Sequence, residues 1–141
     1  HGFITEDGST LIFASDRPGG FGGLDLYISK LGPDGEWGTP ENMGPEINTP
    51  FNEDRPFLIN SGKILFFASQ GHHNMGGYDI FRSQIQYNGL WSTPENIGYP
   101  LNTPDDNIFF CPADNGKAGY MSMTGGDGGS GKADIYLVRF K

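Results

Sequence analysis

The chain has 141 residues, 13% of them aromatic, and a formal net charge of −8. That length suits one ordinary domain, and the aromatic content excludes a disordered chain. The charge disfavours nucleic acid and an anionic membrane surface, which require a basic face, and no apolar run approaches the roughly 18 residues of a membrane helix.

In chain order, residues 1–5 read as a short strand, and Glu6-Asp7-Gly8-Ser9 as a hairpin turn, since Asp-Gly between apolar runs favours one. Residues 10–15 form a second strand. Residues 16–23, DRPGGFGG, are a loop with four glycines. Residues 24–31 form a third strand, GPDG at 32–35 a turn, and residues 36–43 a weaker strand. Pro40 breaks that strand and suits a sheet edge. Residues 44–54 then run as a loop into Arg55, where the order starts again.

The restart is an internal repeat. Gly8, Gly62 and Gly116 are 54 apart, as are Phe3, Phe57 and Cys111. Asp25 and Asp79 are also 54 apart, and Asp134 follows after 55. Trp37 returns as Trp91, the Thr-Pro-Glu-Asn run at Thr39 as that at Thr93, and the Asn-Thr-Pro at Asn48 as that at Asn102. Such a period marks a repeat architecture. The units are expected at 1–54, 55–107 and, incomplete, 108–141. Each has short antiparallel strands joined by hairpins, four in a full unit, and no helix is expected. Most of the 23 glycines and 10 prolines sit at fixed places in the repeat, so they mark turns. The glycines before each Asp are expected to supply backbone angles that other residues avoid. Cys111, the single cysteine, stands where the other units have Phe, so it is expected to pack as a small apolar side chain. No signal peptide is visible, and because the sequence opens inside a repeat this says nothing about export.

The middle strands, LIFA and ILFFA, are apolar on consecutive residues. Alternation would put one face in water. Consecutive apolar residues imply that both faces are covered. Small antiparallel sheets buried on both faces must stack on one another, which is the blade packing of a β-propeller. A β-sandwich is the alternative, but its strands should alternate and it needs no 54-residue copy.

The [LI]-[FY]-F-A-S run, the GG-x-D-[LI]-[YF] turn and the W-x-T-P-E-N-x-G segment resemble the TolB-like, WD-related propeller repeats of bacterial envelope proteins. The variety abundant in Bacteroidetes is the most similar; there the repeat often sits between tetratricopeptide repeats and an OmpA-like peptidoglycan-binding domain. The resemblance covers essentially the whole chain and implies a periplasmic or outer-membrane-associated setting. Propellers close with about 4 to 8 blades, whereas two full units and three strands of another cannot close alone. Either the sequence is part of a longer propeller, or copies associate; two chains would give six blades.

Asp25, Asp79 and Asp134 follow glycine turns and open strands, so each is expected to accept hydrogen bonds from turn N–H groups and not to act in catalysis. Trp37 and Trp91 are expected to fill gaps between blades, with sugar stacking as the other reading. His72 and His73 break the repeat, where the first unit has Pro18 and Gly19. They suit a solvated loop or a ligand contact, and no zinc spacing accompanies them. No phosphate-binding loop, nucleophile elbow or paired carboxylates stand out, so no catalytic residue, metal or cofactor is assigned.

In an up-and-down blade the second-to-third loop and the blade-to-blade loop share one end. Those loops are the long ones here: 16–23, 70–77, 124–132, 44–54 and 98–107. Long loops on a rigid scaffold concentrate binding. The candidate face carries Asp16, Arg17, Asp54, Arg55, His72, His73, Asp106 and Asn107, with Asp54-Arg55 and Asp106-Asn107 nearest the centre and Asp54–Arg55 able to form a surface ion pair. The opposite end has only tight turns. The expected function is a non-enzymatic scaffold binding a protein partner in the cell envelope. The alternative is a propeller that binds or processes glycans.

Overall fold

A computed structural model describes residues 1–123 and 133–140. The chain is all-β, with three antiparallel sheets. Sheet 1 holds β1 (Gly2–Ile4), β2 (Thr10–Ser15), β3 (Asp25–Lys30) and β4 (Glu41–Asn42) in that order. Sheet 2 holds β5 (Glu53–Ile59), β6 (Ile64–Ser69), β7 (Asp79–Gln84) and β8 (Glu95–Asn96), again in order. Sheet 3 holds β9 (Phe110–Ala113), β10 (Ala118–Met123) and β11 (Asp134–Arg139). Among the described residues the only helical turn is a 3-10 turn at Asp114–Gly116, and no helix is long and apolar enough to cross a membrane.

The sheets stack face to face. Along β6 successive side chains point to opposite sides, as strand geometry requires. Leu65 and Phe67 enter a buried cluster with Ile12 and Leu26 of sheet 1. Phe66 and Ala68 enter a second cluster with Phe110 and Met121 of sheet 3. Burying each of Phe66, Phe67 and Phe81 is worth roughly 1.5–3 kcal/mol, against about 1 for a typical hydrogen bond. Stacking therefore outweighs any single ladder bond in holding the sheets together.

Consecutive burial is longest in this middle sheet; in sheet 1 it covers Asp25 to Tyr27 of β3. β6 is buried from Leu65 to Ser69, whereas β11 alternates, with Ile135 and Leu137 exposed. The described residues form an open stack, not a closed ring. Sheet 3 shows one face to solvent, and Cys111 lies on it, opposite Tyr120 in the ladder. Its expected burial fails because no sheet among the described residues covers that face. The outer face of sheet 1 carries Phe13 stacked on Tyr27, with the Arg17 guanidinium over both rings at 5.1 and 4.6 Å.

β5 begins at Glu53, two residues before Arg55, and the first strand of sheet 3 begins at Phe110. The fourth strands shrink to Glu41–Asn42 and Glu95–Asn96, each preceded by a lone bridge from Trp37 to Leu31 or Trp91 to Ile85. Pro40 and Pro94 interrupt the pairing between bridge and strand because they lack an N–H.

Candidate functional site

The long-loop end is built from one polar unit used twice. The Asp25 carboxylate accepts from the N–H groups of Phe21 at 2.6 Å and Gly22 at 3.1 Å, and from Asn42 Nδ2 at 2.8 Å. Asn42 Oδ1 in turn accepts from the Gly44 N–H and from Asn48 Nδ2, both at 2.8 Å. Asn48 then brackets Leu26: its Oδ1 accepts from the N–H at 2.7 Å and its Nδ2 donates to the carbonyl at 3.0 Å. In sheet 2 the Asp79 carboxylate accepts from the Met75 N–H and from Asn96 Nδ2, and Asn96 Oδ1 accepts from Asn102 Nδ2 at 2.6 Å. Asn102 brackets Ile80 at 2.8 Å on both sides. Asp25 thus has both carboxylate oxygens engaged in shaping its loop, whereas Asp79 uses Oδ2 alone and its buried Oδ1 has no partner among the described residues. Asp134 opens β11 in the same way, but its glycine turn, including the DGGSG of 127–131, lies outside the described residues.

A second clamp ties each loop between sheets back to the entry of the third strand of the sheet it leaves. Asn52 Oδ1 accepts from the Leu24 N–H at 2.8 Å, and Asp106 Oδ1 does the same for Tyr78 at 2.9 Å. Beside Asn52, the Glu53 carboxylate accepts from the Thr49 N–H at 2.9 Å and from the hydroxyls of Thr49 and Ser69 at 2.6 and 2.7 Å. Asn107 accepts from the Thr103 N–H at 2.7 Å. Burial pushes the Glu53 carboxyl up, partly offset by the Thr49 hydroxyl. Asp106 and Asn107 are therefore engaged in loop structure, and Asn107 is buried.

Of the glycines in the turns before Asp25 and Asp79 only Gly19, at φ 91°, supplies an unusual angle; the others serve proximity. Gly22, Gly23, Gly76 and Gly77 lack positive φ. A Cβ at Gly22 would lie 2.3 Å from the Phe51 and Thr49 carbonyl oxygens, and one at Gly76 would lie 2.3 Å from the Pro104 carbonyl oxygen. A Cβ at Gly71 would meet the Thr49 hydroxyl at 1.9 Å. The loops of the first two sheets therefore interlock into a continuous surface.

The remaining candidates divide. His72 is half-buried between sheets: its ring packs on Phe67 and Phe81, centroids 5.8 and 5.2 Å away. Its Nε2 lies 2.8 Å from the Ile47 carbonyl oxygen, an acceptor, so Nε2 carries the proton. His72 is a seam residue and not part of a solvated loop. His73 and Asp16 are exposed, and Arg17 lies on the aromatic pair of sheet 1. Asp54 and Arg55 do not pair with each other. Asp54 takes His1 Nδ1 at 2.8 Å, and the Arg55 guanidinium sits 4.3 Å over the Phe109 ring. His1, Arg55 and Phe109 are 54 apart and form a column across the three first strands. Trp91 packs against the sheet 1–sheet 2 core, while Trp37 is exposed because sheet 1 has no neighbour on its side.

The tight-turn end is not plain. A groove of about 500 Å³ opens between the three first hairpins, lined by Asp7, Ser61 and Asp114 among others. The Thr5 hydroxyl, then the Ser9 N–H and hydroxyl, hold the Asp7 carboxyl at about 2. Among the described residues no three His, Cys, Asp or Glu side chains gather as metal ligands would. The repeated asparagines and Glu53 were the residues missed as clamps. Their signal in the sequence is the recurrence of Asn42 as Asn96 and Asn48 as Asn102. No family model and no curated protein matches this chain.

Proposed function

We propose that the three sheets are consecutive blades of a β-propeller and that the molecule is a non-enzymatic interaction module, engaging another cell-envelope protein through its long-loop end. One observation carries this reading. Each of the four described loops at that end exposes one large apolar side chain: Phe21, Phe51, Met75 and Tyr99. The polar groups beneath them are tied into the clamps, so these side chains stand on a rigid base. Aromatic residues and Met are enriched in protein interfaces. Asp16, Glu46 and Asp105 are exposed on the same loops, so the matching partner surface is apolar with a basic rim. The periplasmic or outer-membrane setting rests on the resemblance of the repeat.

The test is site-specific photocrosslinking in cells. A crosslinking residue at Phe51 or Tyr99 is expected to give a discrete adduct, and one at Tyr87, on the opposite end, none. Equal adducts from both ends, or none from either, would contradict the reading. Exposed Tyr99 also suits a sugar platform. Saturable glycan binding that Tyr99→Ala abolishes would favour that alternative.

A further inference from the structure

The loops before Asp25 and Asp79 differ at two glycines. His73 stands where the first loop has Gly19, and Asn74 where it has Gly20. Neither position can copy the first loop. Gly19 has a φ of 91°, which residues with a Cβ rarely adopt, and His73 does not adopt it. A Cβ at Gly20 would lie 2.3 Å from Asp25 Oδ2. The second loop therefore takes another path, and its carboxylate registers the difference. Asp25 receives two loop N–H groups, Phe21 on Oδ2 and Gly22 on Oδ1. Asp79 receives one, Met75 on Oδ2. Asp79 is 0% exposed, and among the described residues its Oδ1 is the one buried side-chain nitrogen or oxygen without a partner.

We propose that residues 73–76 form a lid that opens over Asp79, with His72 as its fixed post. An acceptor buried without a donor carries its full desolvation cost. Opening lets water reach Oδ1 and recovers that cost, a gain that loop 16–23 does not have. Local openings are cheapest where few buried contacts are lost, and His73, Asn74 and Met75 are exposed. What holds the lid shut is polar. Asn96 Nδ2 donates to the His73 carbonyl at 3.1 Å, and Asn74 Nδ2 to the Gln70 and Gly77 carbonyls at 2.8 and 3.3 Å. The post is held differently: the His72 ring packs on Phe67 and Phe81, and its Nε2 donates to the Ile47 carbonyl. The lid carries Met75, so three apolar side chains of the long-loop end stand still and the fourth adjusts to what it meets. That role rests on the loop-end reading; the opening itself does not.

Amide hydrogen exchange of the isotope-labelled chain tests this, because Phe21 and Met75 are equivalent amides on equivalent carboxylates. After correction for intrinsic rates, the Met75 amide is expected to be less protected than Phe21 by about tenfold or more, as one unmet buried acceptor implies. Gly76 is expected to exchange freely where Gly22 is protected. The double variant His73→Gly, Asn74→Gly restores the glycines of the first loop. It is expected to raise Met75 protection to that of Phe21 and to protect Gly76. Added glycines by themselves loosen a loop, so a rise in protection has no other source. Equal protection of Phe21 and Met75 in the parent, or no rise at Met75 in the variant, overturns the inference. If the variant does not fold, the comparison within the parent decides. Crosslinking at Phe51 does not depend on the lid, so the two readings fail separately.

Discussion

Asn42, Asn48, Asn96 and Asn102 link an Asp carboxylate to the backbone of the residue after it, and the loops take their shape from those links. The turn glycines work with them by allowing close approach. Gly76→Ala should destabilise by about 2 kcal/mol or more, because its Cβ would strike backbone oxygens that cannot swing aside. Gly98→Ala should cost about 1 kcal/mol, since its φ of 75° is the only objection and the space around it is open. Gly98→Asn should recover part of that loss and Gly76→Asn should not; urea midpoints would show the reverse if angle were the reason at Gly76. Glu53 adds a pH dependence. Burial raises its carboxyl above the ordinary value of 4.5, so the folded state holds the proton more tightly than the unfolded one. Its contribution is complete below 4.5 and falls as pH rises through the raised value. Glu53→Gln, which mimics the neutral Asn107 of the next unit, should remove that slope. Unfolding curves at pH 4 and pH 7 should then show the variant gaining on the parent as pH rises, and a constant difference would contradict this. At this scale the sequence disclosed which residues recur but not what they touch. Asp25 could be read locally in part, because Gly22 and Phe21 lie three and four residues away, though Asn42 lies 17 away. Asn48, 22 residues from Leu26, could not.

At the level of elements, hairpin strands were legible because Asp-Gly turns and apolar runs set their limits. β2 runs from Thr10 to Ser15 as the pattern implied. The fourth strands were overdrawn, because Pro40 and Pro94 remove the donors that would have extended them. Cys111 was misplaced for a different reason. The repeat gives its position on the strand, but whether that side of the sheet is covered depends on a neighbour. The open face of sheet 3 predicts that Cys111 reacts with a thiol reagent in the native protein without a lag and at close to the rate of the unfolded chain. Reaction only after denaturant is added would mean that the face is covered.

For the whole molecule, the sequence carried the inference that sheets lie against their copies, since ILFFA leaves no side for water. It carried the number of sheets as well, through the period. The outer sheets depart from it because burial on both faces needs a neighbour on each side, and among the described residues only sheet 2 has two. Phe66 and Phe67 make that claim measurable. They are adjacent, both at 1% exposure, and enter different clusters on opposite sides of β6. Equilibrium unfolding of Phe66→Ala and Phe67→Ala should show each losing about 3–5 kcal/mol. A loss confined to one of them, with the other costing less than about 1 kcal/mol, would mean that one side of the middle sheet faces solvent.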